Sequence, residues 1–169
     1  AYNAAISACE KGQDSEMALE LLSEMQEVNL KPDVVSYNAA IGACERSPES
    51  ARTLDLLAEM QGKHLLPDLI TYTTSISACE KRRDPVMALK LLGEMQRKDL
   101  QPNLIAYSAA LSACERGQQP GKALEILAEM QGKRLDLDVT TCSAAICACE
   151  KSSNPEQALE LLAEIQGMG

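Results

Sequence analysis

Five blocks of this chain open alike, 35 residues apart. Tyr2-Asn3-Ala4-Ala5-Ile6 returns as Tyr37-Asn38-Ala39-Ala40-Ile41, as Tyr72-Thr73-Thr74-Ser75-Ile76 and as Tyr107-Ser108-Ala109-Ala110-Leu111. The fifth copy is Cys142-Ser143-Ala144-Ala145-Ile146, and no copy is out of register. A fixed period of this length marks a stacked array of supersecondary units. One such unit is too small to bury its own apolar face, so stability comes from packing each unit on its neighbours. The copies divide the 169 residues into a partial repeat 1–33, full repeats 34–68, 69–103 and 104–138, and a partial repeat 139–169. The incomplete end blocks read as a segment of a longer protein, so the lack of a targeting sequence says nothing about location.

Each block carries two helical patterns. In the first, Tyr37, Ile41 and Cys44 fall at i, i+4 and i+7, with Ala40 and Ala43 making a thin flank for close approach. In the second, Ala18, Leu21, Leu22 and Met25 share one face, and Glu20 and Glu24 lie on the other. Copies at 53–60, 88–95, 123–130 and 158–165 keep that pattern. Asp84-Pro85 and Asn154-Pro155 predict a capping residue followed by Pro at the first helical position. A turn closes the unit: Leu30-Lys31-Pro32-Asp33, Leu66-Pro67-Asp68, Leu100-Gln101-Pro102-Asn103 and, without its Pro, Leu135-Asp136-Leu137-Asp138. The class is all-α, built of helix-turn-helix repeats.

Seven cysteines raise the question of disulfides or zinc. Cys9, Cys44, Cys79, Cys114 and Cys149 occupy one equivalent position per repeat, each between Ala and Glu. Neighbouring helices lie roughly 8–10 Å apart, too far for an S–S bond. No CxxC pair with a nearby His completes a metal set. These thiols read as small buried hydrophobes, and reduced thiols point to an intracellular or organellar interior. Cys142, Cys147 and Cys149 form a local excess, with a metal site as the alternative reading. No apolar run approaches the roughly 18 residues of a membrane span. Nothing reads as catalysis: no nucleophile–base pair, metal cluster or phosphate loop is present. The single histidine, His64, lies in a turn between Lys63 and Leu65 and reads as a surface residue. Neither a cofactor nor a small-molecule substrate is expected.

The Tyr-Asn start, the Ala-Leu-Glu-Leu-Leu-x-Glu-Met middle and the Leu-Lys-Pro-Asp close, at period 35, resemble the pentatricopeptide repeat over essentially the whole chain. The tetratricopeptide cousin has a period of 34 and a Trp signature, and this chain has no Trp. The resemblance implies a right-handed α–α superhelix, an alpha solenoid, that binds single-stranded RNA one nucleotide per repeat. It implies base selection by the residue after the Tyr together with the residue that closes the repeat. Those pairs are Asn3 with Asp33, Asn38 with Asp68, Thr73 with Asn103, and Ser108 with Asp138; Ser143 is the fifth selector. In that family Asn with Asp prefers U, Thr with Asn prefers A, and Ser with Asp resembles the G type. With RNA running 5′ to 3′ along the repeats, the implied site is U-U-A-G-purine. The residue two before the Tyr clamps the base; here it is Val35, Ile70, Ile105 and Thr140. Phosphate contacts are implied for Lys11, Arg46, Lys81, Arg116 and Lys151. Also implied are RNA processing or stability as the role and the mitochondrion or chloroplast as the place. Relatives can carry nuclease or deaminase domains beyond the array, but this chain contains none.

The helical wheel is compatible with these roles. At about 100° per residue, Val35 lies near +60° and Arg46 near +80° from Asn38, away from the stripe of Tyr37 and Cys44. The net charge of −9 and pI near 4.7 run against the basic footprint expected of a nucleic-acid binder. Much of the acid is assigned to second helices as the outer surface: Glu20, Glu24, Asp55, Glu59, Glu94, Glu125, Glu129, Glu160 and Glu164. A second acidic row is different. Glu10, Glu45, Glu80, Glu115 and Glu150 each precede the basic residue of their repeat, and Glu45 lies near −20° on the wheel, toward the same face. That row could pair with the cation of a neighbouring repeat or repel phosphate. It keeps open a second reading, a helical scaffold that binds protein partners with little RNA affinity.

Overall fold

The computed structural model describes residues 1–48 and 50–167, with side chains described through 163. The side chains of Glu164 and Ile165 therefore lie outside the described residues. Among the described residues there are ten helices and no strand: α1 Tyr2–Gly12, α2 Ser15–Glu27, α3 Val34–Arg46, α4 Ala51–Gly62, α5 Leu69–Arg82, α6 Pro85–Arg97, α7 Leu104–Arg116, α8 Pro120–Gly132, α9 Val139–Lys151 and α10 Pro155–Gly167. None is long and apolar enough to cross a membrane.

The helices start and stop where local chemistry directs. Asp14 accepts the Met17 N–H at 3.0 Å, and Asp84 accepts that of Met87 at 3.0 Å with Pro85 at the first position of α6. Asn154 accepts from Gln157 at 3.4 Å, so both expected Pro-proximal caps form. Most helices stop at a left-handed residue, among them Gln13, Asn29, His64, Asp99 and Arg134. The chain then turns back: Leu30, Leu65, Leu100 and Leu135 donate to the carbonyls of Met25, Met60, Met95 and Met130 at 2.9–3.1 Å. This is the six-to-one closure of a helix end, with an apolar residue just past it. It explains why a Leu opens each closing turn. His64 is exposed within such a turn.

The chain forms two compact units, Ala1–Ala78 and Cys79–Gly169. In the first, α1 packs on α2 and α3, α2 on α3, and α3 on α4. Ile6, Ala18 and Leu22 of the first repeat join Tyr37, Ala40, Ile41, Ala43, Cys44 and Met60 of the second in one core. No repeat closes a core by itself, as the period requires. In the second unit α6 packs on α7, α7 on α8 and α9, α8 on α9, and α9 on α10. Its core repeats the same positions: Tyr107, Ala110, Leu111, Cys114, Leu127 and Met130 are all fully buried. Each buried Leu or Met contributes about 1.5–3 kcal/mol by transfer from water. In each unit the first helix of one repeat packs on the first helix of the next. The face carrying the residues after each Tyr is thereby repeated at a regular spacing.

All seven cysteines are thiols. Cys44, Cys79, Cys114, Cys142 and Cys149 are buried. Burial pushes Cys79 up to about 12 and Cys114 to about 11. One cysteine corrects the sequence expectation. Cys9 is only half-buried, because α1 has another first helix, α3, on one side only. Cys147 is exposed, at the position where other repeats carry Ser7, Gly42, Ser77 and Ser112. Among the described residues no group of three His, Cys, Asp or Glu side chains is placed to hold a metal ion.

Candidate nucleic-acid interface

The residue that closes a repeat is also the cap of the next first helix. Asp33 has extended backbone, accepts the Ser36 N–H at 2.9 Å and forms a reciprocal capping box with the Ser36 hydroxyl. Asp68 does the same with Thr71. Asn103 accepts from Ala106 at 2.9 Å and Asp138 from Thr141 at 2.7 Å. Capping alone thus explains why a short polar acceptor stands there.

The structure adds a second contact that capping does not require. Asn3 Nδ2 donates to both carboxylate oxygens of Asp33, at 3.1 and 3.2 Å. Asn38 Nδ2 donates to both of Asp68, at 3.1 Å each. Residues 30 apart in sequence meet twice in the same way, on the first-helix face of the first unit. In the second unit Ser108 lies 2.8 Å from Thr141 Oγ1, which donates to Asp138 at 2.5 Å. Thr73 Oγ1 is buried and has no hydrogen-bond partner. Ser143 turns back on its own helix and donates to the Val139 carbonyl at 2.7 Å.

These bonds shift the carboxylates. The Ser36 backbone N–H, aided by Asn3, holds Asp33 below its usual range against the opposing effect of burial. At Asp68 burial is the largest influence and pushes upward. The Thr71 backbone N–H and the Asn38 amide act against it, and the carboxyl ends below its usual range. Both are charged acceptors at neutral pH.

On the same helices stand the positions expected to clamp a base. Val35, Ile70 and Ile105 are 56–61% exposed although aliphatic, and Thr140 is exposed as well. Lys11, Arg46, Lys81, Arg116 and Lys151 all end first helices and are all exposed. In the second unit Thr140, Ser143, Glu80, Glu115 and Arg116 line one open groove of about 390 Å³. The groove brings Thr140 and Ser143 of one repeat together with Arg116 of the preceding one.

The acidic row is resolved in the same groove. Arg116 pairs with Glu80 at 3.4 Å and Lys151 with Glu115 at 2.5 Å. Each cation reaches back to the carboxylate of the preceding repeat. The carboxylates are the more buried partners, 27% and 17% exposed against 51% and 45% for the cations. In the first unit Glu10 lies instead against Gly42, its Oε1 2.5 Å from where a Cβ would stand.

Sequence reasoning missed one set of functional contacts of the scaffold. Tyr37 is buried, yet its hydroxyl donates to Glu59 at 2.7 Å, and Lys63 lies 5.6 Å from its ring centre. Tyr107 repeats this with Glu129 at 2.7 Å and Lys133 at 2.6 Å. Gln26 and Gln96, one repeat earlier, donate to the same two glutamates at 3.2 and 2.7 Å. Burial raises both tyrosine hydroxyls above their usual range, so they stay protonated donors. Glu59 and Glu129 do lie at the surface, but as anchors for the repeat tyrosines rather than only as solvating charge. The signal was available: an acid and a Lys recur 22 and 26 residues after the Tyr.

The family model described as the pentacotripeptide-repeat region of PRORP matches residues 1–167. No curated protein sequence matches the chain. Among solved structures, the PPR domain of Arabidopsis thaliana protein-only RNase P 1, in complex with tRNA, is 22% identical with a TM-score of 0.87, covering 97% of this chain and 86% of that one. Arabidopsis thaliana nuclear proteinaceous RNase P 2 is 16% identical with a TM-score of 0.85, covering 96% of this chain and 37% of that one. The maize pentatricopeptide repeat protein PPR10 is 20% identical with a TM-score of 0.74, covering 98% of this chain and 24% of that one. A structure of PPR10 with an 18-nt psaJ RNA element gives a TM-score of 0.73 at 24% identity. The chain thus spans about a quarter of PPR10 and over a third of the second RNase P.

Proposed function

The chain belongs to the pentatricopeptide-repeat family, and from that premise we propose that it binds single-stranded RNA through the first-helix face, one nucleotide per repeat. The observation that carries the proposal is the paired geometry of Asn3 with Asp33 and of Asn38 with Asp68, repeated at the period of the array. Helix capping needs the aspartates; it does not need an asparagine 30 residues earlier on each of them. Exposed aliphatic Val35, Ile70 and Ile105 give apolar edges against which bases stack without being read. Solved relatives hold tRNA and an 18-nt RNA.

In this reading the blocks 1–33, 34–68, 69–103, 104–138 and 139–169 act as one array. Asn3/Asp33 and Asn38/Asp68 select U, Thr73/Asn103 selects A, Ser108/Asp138 selects G, and Ser143 begins a purine site. The target is U-U-A-G-purine in the 5′ to 3′ direction. The role is RNA processing or stability in a mitochondrion or chloroplast, with the repeat array supplying recognition rather than catalysis. Lys11, Arg46, Lys81, Arg116 and Lys151 supply phosphate contacts. The pairing of Arg116 and Lys151 with carboxylates favours modest affinity and is the observation that supports the scaffold reading.

Binding to a labelled U-U-A-G-A strand distinguishes the two. An RNA binder gives an affinity that falls with salt, with a slope of about −3 for four or five phosphates, and prefers this strand to a scrambled strand and to duplex DNA. No binding to any strand at low salt, with recovery of a protein partner instead, overturns the proposal.

A further inference from the structure

The third residue of α3 and that of α5 each touch both members of a selector pair. Ser36 Oγ lies 2.7 Å from Asn3 Oδ1 and 2.9 Å from Asp33 Oδ1, and accepts the Asp33 N–H at 3.1 Å. Thr71 Oγ1 lies 2.6 Å from Asn38 Oδ1 and 2.9 Å from Asp68 Oδ1, and accepts the Asp68 N–H at 3.1 Å. A hydroxyl has one proton to give. If it went to the carboxylate, hydroxyl lone pairs would face the asparagine carbonyl at 2.6–2.7 Å. Turning the amide over would set its oxygen against the carboxylate, which is acceptor-only. One arrangement satisfies every atom. The hydroxyl donates to the asparagine oxygen, and the asparagine N–H donates to the aspartate. One amide N–H and one carbonyl lone pair of the selector then remain for a ligand.

Repeat four runs the other way. Thr141 donates to Asp138 Oδ1, so its hydroxyl proton is committed. Ser108 must therefore donate to Thr141 Oγ1 at 2.8 Å. The lone pairs of Ser108 are left as the groups it can offer, and the selector is an acceptor only. On α7 the same position is Ala106, which has no hydroxyl.

We propose that Ser36, Thr71 and Thr141 are a third determinant of base choice, positioning residues that set the donor or acceptor polarity of the selector. This rests on the RNA-reading proposed above. With Thr71, Asn38 offers a donor beside an acceptor, which matches the O4 and N3–H of uracil. With Thr141, Ser108 offers acceptors alone, which match the N1–H and N2–H donors of guanine and reject the N1 acceptor of adenine.

The test compares U-U-A-G-A with U-U-A-A-A on the unaltered chain, on Thr141→Val and on Thr141→Ser. Valine keeps the backbone N–H that Asp138 accepts and the shape of the side chain, while removing the hydroxyl. The unaltered chain should prefer G at the fourth base by about tenfold or more, as a good base contact does. Thr141→Val should bring that ratio below about threefold, with the salt slope and the preference at the second base unchanged. Thr141→Ser should restore it. If Thr141→Val keeps the original ratio, or weakens all strands alike, the third determinant is wrong while RNA reading stands. If the unaltered chain binds no strand at low salt, both proposals fall together.

Discussion

Replacing Glu80 and Glu115 by glutamine should tighten RNA binding. Each carboxylate holds the cation one repeat on, Arg116 at 3.4 Å and Lys151 at 2.5 Å. A phosphate must take that cation from its glutamate, so the ion pair is a cost of binding. Both cations are about half exposed, which places each pair in the class of surface ion pairs, about 0.2–1 kcal/mol. Two pairs then amount to about 0.4–2 kcal/mol, or roughly a 2- to 30-fold gain in affinity. The salt slope should stay near about −3, because Arg116 and Lys151 are already among the four or five phosphate contacts that set it. The assay is fluorescence anisotropy with labelled U-U-A-G-A across a salt series. Glu20→Gln with Glu160→Gln is the control, since it removes the same formal charge from exposed second-helix positions. Beyond a Debye length of about 10 Å the effect of that change is screened. If the Glu80, Glu115 variant binds no better than the unaltered chain, or the control gains as much, the cations are not restrained by these carboxylates.

Tyr107→Phe removes a hydroxyl bonded to Glu129, Lys133 and Gln96; because the partners are charged it should cost about 1.5–3 kcal/mol in denaturant unfolding, with base preference unchanged. Gly117→Ala should destabilise by about 1–3 kcal/mol, because a Cβ there would meet the Pro85 ring at 2.5–2.6 Å and the Ala113 carbonyl at 2.9 Å; Gly42→Ala meets only the tip of Glu10 and should be tolerated. Asp33 and Asp68 have folded values below the unfolded one. Their contribution is therefore present above the unfolded value of about 3.9 and is lost as pH falls through the folded one. Acid unfolding followed by circular dichroism should shift toward neutral pH in Asp68→Asn with Asp33→Asn, and a midpoint unchanged by both substitutions would contradict this.

The array was legible because its determinants are local and periodic. Tyr37, Ile41 and Cys44 had to share a stripe, and the period then placed the same stripe in every copy. Asp84-Pro85 and Asn154-Pro155 marked helix starts through chemistry that acts within one turn. Asn38 and Asp68 could be paired only through the family resemblance, since 30 residues of intervening chain separate them and no local rule brings them together. Glu59 shows the limit more sharply. On its own helix it sits on the polar face, which is all a helical wheel can see, and its partner Tyr37 is fixed by how α4 packs on α3. The Glu80–Arg116 pair was one of two open outcomes for the same reason. Whether a carboxylate meets the next cation or a phosphate depends on the offset between successive first helices, and hydrophobic periodicity does not encode that offset. The role of Thr71 was hidden because one hydroxyl serves a cap and a selector together, and the cap alone accounts for a threonine there.

The most direct measurement exchanges one selector pair and reads every base. Asn38→Thr with Asp68→Asn gives the second repeat the pair that Thr73 and Asn103 form in the third. Binding of the double variant and of the unaltered chain is measured against four strands that differ only at the second base of U-U-A-G-A. The account predicts that the preferred second base moves from U to A, by roughly ten- to a hundredfold, while the salt slope and the other base preferences stay as they were. A double variant that weakens on all four strands equally, or still prefers U, contradicts it and returns Asn38 and Asp68 to the role of helix-capping polar residues.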